Sequence, residues 1–408
     1  MRILRTLPPT AAPLKAKDLA HGLIGLFAGR ESFRDKLEEE IKEHFDVKHV
    51  FCVSSGKAAL SLILLALREL TNKTQVVIPA YTCFSVPSAI RKAGLEIVPC
   101  DIDPATLDYD YDCLQRVVTD ETLCVLAIHL FGIPADLDRI RKLCRDKDIF
   151  VVEDAAQAMG GRYKGGMLGT VGDVGFYSLG RGKNITCGSG GIIITGNDAI
   201  AAALQRRYAE VEETPLREDI KNLIEVCLMS LLIKPYLYWL PAGLPFLKLG
   251  QTFFHVDFPI QKLSGRRATL LQNWRERLLE SNQTRTRIGA DLQKRLVRKD
   301  NQELVIPYLR FPLLVGDRQT RDLIYNRSQA LGLGLSLMYP TPVNEIAELS
   351  SSFSGQFFPA AKRVAETLVT LPTHHLLTET DTANACHLLD STLSSAARPA
   401  VSLAPQRI

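Results

Sequence analysis

Between His49 and Thr195 the chain repeats one unit: a short apolar run, a turn, and a helical stretch. The run His49 to Val53 leads through Ser54-Ser55-Gly56 into Lys57 to Leu70, and Gln75 to Pro79 is followed by Val86 to Ala93. Leu95 to Cys100 precedes Asp110 to Val118, Leu123 to His129 precedes Asp136 to Asp146, and Ile149 to Glu153 ends in Asp154. Runs this short and apolar are strands buried on both faces, and the helices between them are long enough to cross back over a sheet. The pattern predicts an α/β chain with a mostly parallel sheet sandwiched by helices. Two more apolar runs, Gly172 to Leu179 and Gly190 to Thr195, flank a glycine-rich turn around Lys183.

Residues 1–30 read as an irregular lead-in, because Pro8, Pro9 and Pro13 interrupt any early element. Ser32 to Phe45 is a charged amphipathic helix. The character changes after residue 262, where a long charged helix from Arg267 to about Lys294 precedes alternating segments such as Glu303 to Val315. A helix, a glycine-rich turn with a strand at Leu331 to Tyr339, and a last helix near Asp381 to Leu393 follow. The division expected is therefore a large domain over 31–262 with an apolar insert at 220–250, a smaller α+β domain over 263–395, and a loose tail over 396–408.

The net formal charge is +4 and no basic stripe interleaved with aromatics is present, so nucleic acid is not the expected partner. Nine scattered cysteines form no Cys-x-x-Cys pair and no metal-spaced cluster, which reads as reduced thiols in a cytoplasmic protein with no metal. The N-terminus lacks the sustained apolar core of a cleaved signal peptide.

In open α/β sheets ligands bind at the C-terminal ends of the strands, and three segments place chemistry there. Ser54-Ser55-Gly56-Lys57-Ala58-Ala59 is a strand-to-helix turn whose helix N-terminus suits a phosphate; a tight turn with a helix cap is the plain alternative. Val151-Val152-Glu153-Asp154 brings a carboxylate to the end of a buried strand, where it needs a cation or several donors; an N-cap is the alternative. Tyr177-Ser178-Leu179-Gly180-Arg181-Gly182-Lys183-Asn184 sets a lysine in a glycine-rich turn with a hydroxyl nearby, and a solvent-facing loop lysine is the alternative. Together, an anion cradle, a carboxylate and a lysine are the parts that pyridoxal phosphate requires.

The order of these segments resembles the DegT/DnrJ/StrS family of pyridoxal-phosphate-dependent sugar aminotransferases, of aspartate-aminotransferase fold type I. The matching strings are SSGKAAL (54–60), IPAYTC (78–83), DIDPATLDYD (101–110), HLFGIPADLD (129–138), VVEDAAQAMGGRYKG (151–165), GDVGFYSLGRGKN (172–184) and GSGGIIIT (188–195). Weaker agreement continues through YPTPVNE (339–345) and 358–378. The resemblance implies that Lys183 carries the cofactor covalently and acts as the acid and base of the proton shift. It implies that Asp154 pairs with the pyridine nitrogen and that Gln157 lies near the phenolic oxygen. Ser178 with the backbone of Gly56 and Lys57 would hold the phosphate, within a homodimer whose partner chain completes that site. The implied cofactor-binding set is Ser55, Gly56, Lys57, Cys83, Phe84, Asp154, Gln157, Ser178 and Lys183, of which Lys183 and Asp154 are catalytic.

Four positions depart from the family pattern. Lys57 stands where threonine is usual, and Ser189 where glutamate is usual. Cys83 takes the place of an aromatic that stacks on the cofactor, with Phe84 one residue late. The partner-subunit segment of Asn-Tyr-Arg/Lys type has no clear match near Phe258 to Leu263, where Lys262 is the candidate. No role is assigned to His129, His374 or His375.

The implied activity is amino transfer from a donor such as glutamate to a nucleotide-activated keto-sugar, in surface polysaccharide or amino-sugar biosynthesis. Two alternatives are a sugar dehydratase, whose family members typically replace the lysine with histidine, and a catalytically altered regulator or membrane-associated scaffold. The apolar segment Leu223 to Leu249 keeps two readings open. It is a dimer-interface or lid element, or an in-plane membrane contact with Tyr236, Tyr238 and Trp239 at headgroup depth. Its uninterrupted apolar run is too short to span a bilayer, and Pro235, Pro241 and Pro245 exclude one straight helix.

Overall fold

The computed structural model describes residues 5–28, 30–145, 147–247, 249–296 and 305–393. Its centre is a twisted sheet of nine strands: β1 (His49–Val53), β2 (Gln75–Pro79), β3 (Glu96–Cys100), β4 (Thr122–Ile128), β5 (Phe150–Asp154), β6 (Val174–Ser178), β7 (Gly191–Thr195) and the short β8 (Glu212–Glu213) and β9 (Gln261–Lys262). Their spatial order is β8-β9-β1-β7-β6-β5-β4-β2-β3. From β6 to β3 all pairings are parallel, and β7 runs antiparallel between β6 and β1.

Strand alternation divides the core between the two faces. Phe51, Val53, Ile78, Leu126, Val152 and Phe176 pack with α3 (Gly56–Leu67), α4 (Ser85–Lys92) and α7 (Asp198–Glu210). Val50, Cys52, Val77, Val125, Val151 and Tyr177 pack on the other face with α2 (Glu31–Phe45) and α6 (Leu137–Arg145). Both faces are thus covered, as the sequence pattern requires of a parallel sheet. The remaining helix of this region, α5 (Tyr111–Val117), starts from Asp110, whose carboxylate caps the N–H groups of Asp112 and Cys113.

The lead-in is not irregular throughout: α1 (Ala16–Ala28) forms after the last proline. Gly22 and Gly25 explain how it docks. A Cβ on Gly22 would meet Leu270 at 2.5 Å, and one on Gly25 would meet Thr269 at 2.1 Å, so the bare backbone is what permits the approach. Upstream of α1, residues 5–14 cross both domains. Leu7 N–H donates to Gly332 O, Thr10 Oγ1 donates to Gly182 O, and His374 Nε2 donates to Pro8 O.

α8 (Leu216–Leu232) carries the first half of the apolar insert and ends before Pro235; the chain then continues in turns and a single helical turn at Trp239–Ala242. None of the described helices is long and apolar enough to cross a membrane. Tyr238 and Trp239 are partly buried and only Tyr236 is well exposed, so the three aromatics do not present one face to a headgroup layer.

The second, smaller core lies between the long helix α9 (Trp274–Leu296), α10 (Arg318–Leu331), α12 (Glu379–Thr392) and an antiparallel pair, β10 (Arg310–Leu314) and β11 (Leu368–Pro372). α11 (Pro359–Thr367) leads into β11. The strand expected at 331–339 is absent. Gly332 and Gly334 take positive φ of 69° and 75°, which interrupts extended backbone, and only Ser336 bridges to Thr370. The tail from residue 396 lies outside the described residues.

Candidate active site

Register places three chemical groups on one edge of the sheet. Val53 pairs with Gly191, which pairs with Ser178, while Phe176 pairs with Asp154. Because β1, β5 and β6 point the same way, the residues that leave their C-terminal ends converge. They line a cavity of about 490 Å³ closed by both domains.

At the end of β1, Ser55 caps α3: its Oγ accepts from Ala58 N–H at 3.1 Å. Gly56 follows as the first helical residue. A Cβ there would stand 3.1 Å from Ser178 Cβ and 3.3 Å from its Oγ, so glycine keeps the helix N-terminus and the Ser178 hydroxyl side by side. That arrangement is an anion cradle: a positive dipole end, a hydroxyl, and backbone with room to be approached.

β5 ends in two adjacent carboxylates with opposite surroundings. Glu153 is fully buried, and its oxygens accept from Gly169 N–H (2.8 Å), Val171 N–H (2.6 Å), Gly172 N–H (2.5 Å) and His129 Nε2 (2.9 Å). His129 Nδ1 accepts from Ala135 N–H at 3.1 Å, which leaves the ring proton on Nε2 and makes this histidine a structural donor. Asp154 points into the cavity. Its Oδ1 accepts from Ala156 N–H at 3.0 Å. Burial raises its pKa above the usual carboxylate value, while the nearby Lys183 opposes that shift.

Lys183 occupies the turn after β6. Positive φ at Gly182 (74°) turns the chain, and the Thr10 bond to Gly182 O with the Asn184–Asn282 bond (2.9 Å) holds the loop from both sides. Burial lowers the pKa of its ammonium; Cys83 and Asp154 act against this, and Arg310 adds to it. No carboxylate lies within ion-pair distance of it among the described residues. An amine so placed gives up its proton more readily than an ordinary lysine.

The other expected residues divide. Cys83 lines the cavity with its Sγ 3.5 Å from Thr252 Oγ1, whereas Phe84 is buried in the core at the start of α4 and takes no part in the lining. Gln157 lines the cavity but its amide is engaged: Oε1 accepts from Phe131 N–H at 3.2 Å and Nε2 donates to Tyr339 OH at 3.0 Å. Lys57 Nζ donates to His255 Nε2 at 2.6 Å and rides 4.6 Å over the Phe258 ring. His255 can accept there because its Nδ1 donates to Phe253 O at 3.3 Å. Lys262 lies opposite Val53 at the sheet edge, with Nζ 3.8 Å from Glu213 and outside the cavity lining. His374 is buried in its bond to Pro8 O, its pKa pushed down to about 3 by desolvation.

Three parts of the lining were not anticipated. Thr10 comes from the lead-in, residues 250–255 form a wall after the apolar insert, and Arg310 with Met338 comes from the small domain. For Arg310 a signal did exist: a lone cation entering the otherwise apolar run Tyr308 to Val315. No cluster of described residues could hold a metal ion.

Comparison with known proteins adds an independent line. The sequence profile of the DegT/DnrJ/EryC1/StrS aminotransferase family matches residues 26–210, which include β1 to β7. GDP-perosamine synthase of Vibrio cholerae is 32% identical over 176 residues, covering 43% of this chain and 48% of the relative. The match spans about half the length of the curated relatives concerned. Among solved structures, the fold is shared with Helicobacter pylori PseC, an aminotransferase involved in the biosynthesis of pseudoaminic acid. That likeness has a TM-score of 0.76 at 15% identity, over 95% of this chain and 99% of the other. A putative sugar aminotransferase of Streptococcus pneumoniae, solved in its PLP form, superposes with a TM-score of 0.74 at 21% identity, over 95% and 98% of the two chains.

Proposed function

We propose that this chain, whose residues 26–210 match the profile of the DegT/DnrJ/EryC1/StrS aminotransferase family, is a pyridoxal-phosphate-dependent aminotransferase. Its substrates in this reading are an amino donor such as glutamate and a keto-sugar, nucleotide-activated, on the way to an amino sugar. The observation that carries the reading is the convergence of Asp154, Lys183 and the Gly56–Ser178 cradle on one cavity.

The donor set fits the cofactor. A helix N-terminus beside a hydroxyl, where an added Cβ would stand only 3.1 Å from Ser178, suits a phosphate. A buried carboxylate whose Oδ1 meets only one backbone N–H suits a protonated ring nitrogen, and a lysine of lowered pKa suits a carbonyl carbon. When bound, pyridoxal phosphate supplies an electron sink and carries the amino group between the two substrates. In this assignment Ser178, Gly56 and Lys57 hold the phosphate end. Asp154 keeps a proton on the ring nitrogen through its charge. Lys183 attaches the cofactor and, once displaced, takes and returns a proton at Nζ. Gln157 holds Tyr339 against the ring pocket, a positioning role in place of direct contact. Cys83 stands where a stacking aromatic is usual in the family, so a smaller side chain would cover the ring on that side.

The active form proposed is a homodimer, supported by the exposed apolar face of α1 and α8. The nine cysteines are all free thiols, which supports a cytoplasmic setting. Lys183 in place of histidine favours amino transfer over sugar dehydration.

The test is the donor half-reaction. Cofactor-loaded protein given glutamate alone should release 2-oxoglutarate up to one equivalent per site, and Asp154→Asn should slow that release by about 10²–10⁴-fold. Release of no oxo acid from any amino donor would rule the reading out.

A further inference from the structure

A second cavity, of about 700 Å³, is larger than the catalytic one and shares none of its lining residues. It opens at the far edge of the sheet, where β3 has β2 on one side only. Its walls are that strand, the last turns of α4 and α5, and the turn 352–358 that precedes α11. Two cations line it, Arg91 from α4 and Arg116 from α5, against one carboxylate, Glu96. Arg91 Nη2 donates to Ser352 Oγ at 3.2 Å, and Arg116 has no hydrogen-bond or ion-pair partner among the described residues. Glu96 instead accepts from Gln75 Nε2 at 3.2 Å and lies beyond 4.0 Å from both guanidinium groups.

A cation in the last turn of a helix answers the helix dipole, which accounts for each arginine taken alone. It does not account for both meeting one void, nor for what faces them. The turn 352–358 carries three phenylalanines and is pinned at both ends. Ser352 is held by Arg91, and α11 by Asp101, whose carboxylate accepts from Ala360 N–H (3.1 Å) and Ala361 N–H (2.8 Å). Phe353 is buried and Phe358 half-buried, but Phe357 lines the cavity while 85% exposed. A fixed turn thus keeps one aromatic face open to an incoming ring. Strand addition to β3 is the other use of such an edge, but Pro99, which also lines the cavity, has no N–H to give.

We propose that this cavity is a second ligand site, for a nucleoside diphosphate: the base stacks on Phe357 and the phosphates take the forks of Arg91 and Arg116. Guanidinium forks match phosphate oxygens in paired hydrogen bonds, and every nucleobase offers a π-face to a phenylalanine. The volume is that of an ordinary small-molecule site. An occupant bridges the end of α4 to the turn before α11. The first turn of α4, with Ser85 and Val86, lines the catalytic cavity, so the two sites lie at opposite ends of one short helix. The assignment does not depend on the aminotransferase reading, since no residue of the catalytic cavity enters it.

The experiment is calorimetric titration of the full-length protein with UDP, GDP and pyrophosphate. Wild type is compared with the double substitution Arg91→Met, Arg116→Met and with Phe357→Ser, and circular dichroism melts check that both variants are folded. At least one nucleotide should bind wild type more tightly than pyrophosphate does, and weaken about 10-fold or more in both variants. Photolabelling with azido derivatives of UDP and GDP should mark the peptide that carries Phe357. Binding of neither nucleotide, either variant binding as well as wild type, or label confined to peptides of the catalytic cavity would each overturn the site. Pyrophosphate bound as tightly as the better nucleotide would overturn the assignment of a nucleotide.

Discussion

Glu153 and Asp154 are adjacent and chemically alike, and one step along the strand gives them opposite work. Alternation turns Glu153 into a nest of three backbone N–H groups and His129, where four donors fix its side chain and it organises the 169–172 loop. The same alternation aims Asp154 at the cavity with only Ala156 N–H at its Oδ1. A third acid, half-buried, behaves differently again. Glu38 accepts from Cys52 N–H at 2.8 Å, and desolvation pushes its pKa up to about 7. A folded-state value above the unfolded one means the native state prefers the protonated acid. Its stabilising contribution is full below pH ~4.5 and is lost as pH rises through 7. Glu38→Gln, which keeps an acceptor for Cys52 and does not ionise, should therefore match wild type near pH 4.5 and exceed it by roughly 1–2 kcal/mol at pH 8 in denaturant titrations. An equal gain at both pH values would show that ionisation is not the cause. Lys183, Asp154 and Ser178 were legible because each sits within a few residues of a recognisable strand end. Thr10 was not, since no local pattern says which distant segment will close over that end, and Arg310 stood out only as a lone cation in an apolar run.

Among elements, the expected helices and strands of 49–195 follow the hydrophobic pattern to within three residues, because each buried strand is short, apolar and bounded by a turn. α1 was missed because three prolines dominate the reading of the lead-in, while the glycines that let it pack on Leu270 and Thr269 look like breakers in sequence. The strand at 331–339 failed for the reverse reason: its β-like residues follow two glycines in the left-handed region. α8 explains much of the apolar insert. Leu216, Ile220, Ile224, Leu228 and Leu231 recur at helical spacing and are all exposed, from 40% to 55%. Leu23, Ile24 and Phe27 of the neighbouring α1 are exposed too. An apolar face of that size on a monomer marks an association surface, with each side chain contributing roughly 1.5–3 kcal/mol when fully withdrawn from water. In sedimentation the wild type should run as a dimer, and the double substitution Ile224→Glu, Leu228→Glu as a monomer that keeps its helical circular dichroism. A monomeric wild type that cosediments with anionic vesicles would assign the face to a membrane surface instead.

At the scale of the molecule, the site exists because the small domain and residues 5–14 close over the C-terminal edge of the sheet. Arg285 ties Ala11, Leu309 and Thr373 together, Gln157 reaches Tyr339, and the bond from Thr10 secures the Lys183 turn. The family resemblance is concentrated in the large domain, and the profile match ends at residue 210. The 250–255 wall and the lining residues Leu309, Arg310, Met338 and Tyr339 lie beyond that match. The proposed function nevertheless turns on one local feature, attachment of the cofactor at Lys183. The most direct measurement is the visible absorbance spectrum of purified protein with added pyridoxal phosphate, wild type beside Lys183→Ala, before and after glutamate. A band present only in the wild type, and bleached by glutamate, is the expected result. An identical band in both proteins, or none in either, would contradict it.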